Sequence, residues 1–109
     1  MSSNLLNSYH KLLKEYNKVL ILTDKLLSAL QSGETDDDFI DLLIEKRLKS
    51  VKLIQKITDS ISNYNPSNSQ KPAPQIIEQL KTLHRELEDK ANLLQEKEKG
   101  LEKIVENLS

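Results

Sequence analysis

Residues 36–57, DDDFIDLLIEKRLKSVKLIQKI, read as one amphipathic helix whose apolar stripe is interrupted by a cation. Ile40, Leu43, Ile54 and Ile57 fall on the alternating three- and four-residue steps of a buried helix face, and Arg47 stands on the step that a plain core helix gives to leucine. Ile44, Val51 and Ile61 extend the same side. The acids Asp36, Asp37 and Asp38 suit the positive end of the helix dipole, and Thr35 with Asp38 has the spacing of a capping box, so the helix is expected over about 36–61.

Upstream, Leu6, Tyr9, Leu13, Tyr16, Leu20, Thr23, Leu27 and Leu30 alternate three and four apart, while Leu5, Leu12, Val19 and Leu26 repeat every seven beside them. Two adjacent repeats make a helix with a broad buried face, about 4–32. Gly33 takes the left-handed conformation that ends a helix more readily than Gln31 or Ser32 would, and the turn it allows is too short for anything but an antiparallel hairpin. Downstream, SNYNPSNSQKPAP (62–74) concentrates Ser, Asn and Pro and reads as a linker. Pro74 suits a first helical turn, after which Ile76, Leu80, Leu83, Leu87, Leu94, Leu101, Ile104 and Leu108 keep one seam over about 75–108. This third helix is the longest, and its last turns are expected to overhang. Its weakest place is QEKEKG, where Lys97 takes an inward position beside Gly100, and here the helix is expected to bend, fray or leave the bundle. The fold class is therefore all-α: residues 1–109 form one domain, an antiparallel up-down-up three-helix bundle.

Composition narrows the function. Charged residues are 30% and hydrophobic ones 37% of 109 residues, with sixteen basic and seventeen acidic side chains giving a net charge of −1. No overall field draws such a chain to nucleic acid or to anionic lipid, and the three tyrosines are not interleaved with basic residues as a stacking platform requires. The tyrosines at 9 and 16 read instead as rim-of-core residues with wet hydroxyls. Cysteine is absent, which removes disulfides and thiolate chemistry and fits a reducing compartment. MSSNLLNSYHKLLKEY lacks a basic start followed by an apolar run, and no segment approaches the roughly 18 apolar residues of a membrane span, so a cytoplasmic protein without membrane insertion is expected.

Catalytic signatures are missing. Two glycines, both at helix ends or weak points, make no phosphate loop, and neither His10 nor His84 follows a glutamate by three residues as helical di-metal sites require. The reading is a protein that is not an enzyme, with no cofactor and no metal. HKLLK (10–14) is similar to the phosphorylated stretch of histidine-phosphotransfer domains, but its spacing is off by one and Lys14 stands where a small residue should be; this is the third reading, and His10 is expected simply to face solvent. His84 is expected at the boundary of its seam.

The apolar residues off the seams are more informative. Ile21, Leu22, Leu42 and Leu48, with the overhanging Leu101, Ile104, Val105 and Leu108, are candidates for a surface that takes an amphipathic helix. A homodimer would bury the same residues, and a structural, self-associating bundle is the alternative reading.

FIDLLIEKRLKSVKLIQKI, with acids before it and Arg47 inside it, resembles the second helix of the FlgN/FliT-type flagellar export chaperones: an apolar pair, then Glu and Arg, then further aliphatic positions. The first helix, with Tyr9 and paired leucines running to a short turn, looks like the same family, so the resemblance covers residues 5–61. It implies a chaperone or adaptor that binds a helical segment of a hook-associated or filament-cap subunit in the cytosol before export. Arg47 is expected to be structural, packing its methylenes along the seam and reaching a glutamate of helix three.

Overall fold

The computed structural model describes the backbone of residues 2–33, 36–63 and 74–108, and the side chains of 5–33, 36–63 and 74–107. It is all-helical: α1 (Ser2–Gln31), α2 (Asp37–Ser62) and α3 (Pro74–Leu108). Residues 64–73 of the expected linker, and Thr35, lie outside the described residues. The 35 residues of α3 rise about 52 Å at 1.5 Å each. The whole molecule measures 56 × 21 × 17 Å, one helix long and about two helices wide. Its radius of gyration, 17.3 Å, exceeds the roughly 13 Å of a compact domain of this length, so its core is a thin line rather than a sphere.

The ends of the helices follow local chemistry. Gly33 reverses the chain at φ +75°, where a Cβ would strain, and the Ser32 hydroxyl donates to the Ala29 carbonyl at 3.0 Å. The cap of α2 is Asp36 rather than the expected Thr35: its Oδ1 accepts from the amides of Asp38 and Phe39 at 3.1 and 3.2 Å. Aspartate is at least as good a cap as threonine, and from position 36 it answers two of the amides that the first turn leaves bare.

The three helices are not equivalent. α1 packs against both α2 and α3, whereas among the described residues no Cα of α2 comes within 8 Å of one in α3. The double repeat of α1 explains this: Leu12, Val19, Leu20, Thr23, Leu26 and Ala29 are all buried, an arc wide enough for two neighbours. α2 and α3, with narrower stripes, bury mainly Leu43 and Ile54 on one and Leu83 and Leu87 on the other. Leu12, Val19, Ile54 and Leu87 form the centre of the core, with Tyr9, Tyr16, Val51, Ile57, Ile61 and Leu94 packed around it. Each fully buried aliphatic there contributes about 1.5–3 kcal/mol. Tyr9 and Tyr16 are rim residues, as their spacing suggested.

Contacts fix the register. α2 runs antiparallel to α1, with Arg47 against Thr23. α3 runs parallel to α1 at an offset of 73 residues, from Asp24 to Lys97. That offset sets Gln31, the last residue of α1, level with Ile104, so the overhang amounts to one turn. α3 neither breaks nor leaves the bundle at QEKEKG. Lys97 pairs with Asp24 of α1, which turns the misplaced inward cation into an interhelical tie. At Gly100 a Cβ would meet only Leu27 Cδ2 at 3.9 Å, an ordinary contact. Gly100→Ala is therefore expected to stabilise the fold by about 0.5–1 kcal/mol, raising the melting temperature by about 4 °C; thermal denaturation followed by circular dichroism checks it.

Candidate helix-binding groove

Because α2 and α3 both pack closely on α1 while their own Cα atoms stay more than 8 Å apart among the described residues, a groove runs between them with α1 as its floor. Its main pit, about 470 Å³, has Tyr16 at the base, Ile44, Arg47, Leu48 and Val51 on one wall, and Ala91, Leu94, Gln95 and Glu98 on the other. A second pit of about 410 Å³ lies against the flank of α3 over Tyr9, beside Ile77, Leu80, His84 and Glu88. The α3 residues that line the two pits, 91–98 and 77–88, are centred about twelve residues apart, so the pits lie about 18 Å from each other along the axis. Neither pit holds a rod of 10–12 Å diameter, but both take side chains projecting from one.

The walls are apolar for a reason in α2. Val51, packed against the core, Ile44 and Leu48 step around the helix from the buried stripe toward α3, which leaves the last two uncovered. Ile44 is thus 48% exposed and Leu48 52%. Ile44 belongs, on periodicity, to the inward face; the structure corrects this, since a residue about 100° from Leu43 needs a second neighbour to be covered and α3 stands too far off.

Arg47 crosses the groove. Its Nε donates to Thr23 Oγ1 of α1 at 3.0 Å, and its guanidinium pairs with Glu98 of α3. Thr23 is fully buried, the Arg47 and Glu98 side chains are 21% and 35% exposed, and Glu98 Oε1 itself is buried. One residue of α2 therefore ties all three helices, reaching over the gap their backbones leave. Burial lowers the Arg47 pKa from its ordinary value, yet an arginine beside a carboxylate remains charged. With Asp24–Lys97 one residue away on both partner helices, the pair forms a polar layer across the bundle.

The residues singled out from sequence do not form one surface. Leu48 lines the groove. Leu42, six residues earlier, is about 120° round the helix, on the flank away from α3 with exposed Leu53. Ile21, 56% exposed, points opposite the buried arc of α1, and Leu22 is half-buried at the edge of that arc. Leu101 and Ile104 are half-buried, level with the last turns of α1 rather than overhanging. Val105, past the end of α1, is exposed, and the Leu108 side chain lies outside the described residues. Sequence reading missed Ile44, Val51, Ala91 and Leu94 as groove residues; the signal available was that Ile44, Leu48 and Val51 form an apolar ridge of their own beside the Arg47 stripe.

No protein-family model, curated protein or solved structure matches the chain. The groove is thus read from its own chemistry. Among the described residues no three His, Asp or Glu side chains gather as a metal site, and no helix is long and apolar enough to cross a membrane. His10 is exposed and lines a shallow pit with Leu6, Glu78, Gln79, Thr82 and Leu83. His84 is also exposed and faces Glu88 one turn on at 3.2 Å, outside its seam rather than at its boundary. On the other side of α2, Lys11, Lys14 and Lys56 surround a pit with Glu15 and Leu53, a more charged surface than the α2–α3 groove.

Proposed function

We propose that this chain is a non-enzymatic chaperone or adaptor whose α2–α3 groove holds an amphipathic helix of an exported flagellar axial subunit, of the hook-associated or filament-cap kind, before its export. The observation that carries this reading is the open apolar groove, with Ile44 and Leu48 about half exposed. The family resemblance of residues 5–61 supplies the class of client. A subunit waiting for export presents an assembly helix whose apolar face aggregates if left bare, and side chains at i and i+11 on one face of such a helix match pits about 18 Å apart. Covering the face needs no nucleotide and no covalent step. Only part of each partner's surface is buried, so release is easy and affinity is on the order of micromolar.

The test is a titration. Fluorescein-labelled peptides spanning the C-terminal helical segments of hook-associated and cap subunits are mixed with the purified chain, and anisotropy is followed. One of them should bind saturably while its scrambled counterpart does not. If none binds at concentrations on the order of 100 µM and light scattering instead shows a mass that grows with concentration, the self-associating bundle is the better account.

A further inference from the structure

The same polar layer has a second consequence, which concerns the bundle itself and stands whether or not its client is flagellar. α1 and α2 are tied by the turn after Gln31, and α2 and α3 are joined at the opposite end, between Asn63 and Pro74. Where Arg47 meets Glu98, no nearby connection fixes α3 relative to α2, and their Cα atoms stay more than 8 Å apart throughout the described residues. Apolar packing on α3 is uneven. Its buried residues, Leu83 and Leu87, lie in the first half, while Leu94, Lys97, Glu98, Gly100, Leu101 and Ile104 are only half-buried. Over this second half, Asp24–Lys97 and Arg47–Glu98 are ion pairs to the other helices. Partly exposed pairs of this kind exchange for other partners more readily than a close-packed core gives way.

We infer that residues 92–108 of α3 are a latched arm: the rod pivots at its Leu83–Leu87 contact, and the two ion pairs hold its far half closed against α1 and α2. With the pairs broken, the arm moves away from α2, the groove widens from a pair of pits into a slot, and the Leu94 and Leu101 faces come free with it. A charged side chain on a docking helix that competes for Arg47 or Lys97 would open the arm as it binds.

The absence of cysteine makes the motion measurable. Spin labels on Asp41→Cys and Glu102→Cys, both exposed and at the same level of the bundle, report the free end; labels on Gln55→Cys and Glu88→Cys report the pivot. In the isosteric variant Asp24→Asn/Glu98→Gln, the Asp41 to Glu102 distance should lengthen by about 5 Å, half a helix diameter, while the Gln55 to Glu88 distance holds. Asp24→Asn alone, which alters an exposed carboxylate only, should give a smaller shift in the same direction. No lengthening in either variant, or equal lengthening of both label pairs, overturns the arm.

Discussion

Arg47→Leu should lower the stability of the fold by about 1–3 kcal/mol, and Arg47→Leu/Glu98→Leu should recover most of that loss. The asymmetry comes from what each variant leaves behind. The single substitution removes the guanidinium from a carboxylate whose Oε1 is buried and from the fully buried Thr23 hydroxyl it donates to, so a charge and an acceptor lose their partner together. The double substitution removes the charge as well and puts two aliphatic chains where the groove is already lined by Ile44, Val51 and Leu94. The partial exposure of both partners keeps the cost below that of a fully buried pair. Urea denaturation of the three proteins, followed by circular dichroism, checks the order. A double variant as unstable as Arg47→Leu would mean that the arginine acts through its stem or through Thr23 rather than through its charge.

Arg47 was the residue that the sequence marked as odd, and the reason it was legible is physical. A cation on an apolar step violates the local period, and the cheapest resolution is a carboxylate on a neighbouring helix. Helix number, order and approximate ends followed from the same kind of local signal: Gly33, the Asp36–Asp38 acids and Pro74 act within a turn of where they stand. The double repeat of α1 announced a broad buried face, and the structure shows that this face serves two neighbours. The width of the gap between α2 and α3 was not legible, because the period of a helix says which side is apolar and not which neighbour covers it. Ile44 looked like core and proved to be wall, and Lys97 looked like a flaw and proved to be a tie. Both outcomes depend on how far a helix distant in sequence stands off, which only the assembled bundle decides.

Ile44→Asp and Leu48→Asp should each weaken binding of the peptide helix at least tenfold while lowering stability by no more than about 1.5 kcal/mol, half the value of a fully buried aliphatic. Each aliphatic is about half exposed in the free bundle, so a carboxylate there stays solvated and only the buried half is lost to the fold. Under a docked helix the same carboxylate is desolvated without a partner, at about 1–3 kcal/mol, and the remaining half of the aliphatic burial, about 0.8–1.5 kcal/mol, is forfeited. Together these correspond to a loss on the order of one to three powers of ten. Ile21→Asp, on the opposite side of α1, and Leu42→Asp, on the outer flank of α2, carry the same charge change without touching the groove and serve as controls.

The most direct measurement is therefore the anisotropy titration of one peptide helix against these four variants and the unsubstituted chain. The groove account predicts that affinity falls at least tenfold, about 1.4 kcal/mol, for Ile44→Asp and Leu48→Asp and is unchanged for Ile21→Asp and Leu42→Asp. Equal affinities across all five proteins, or a loss confined to Ile21→Asp and Leu42→Asp, would contradict it.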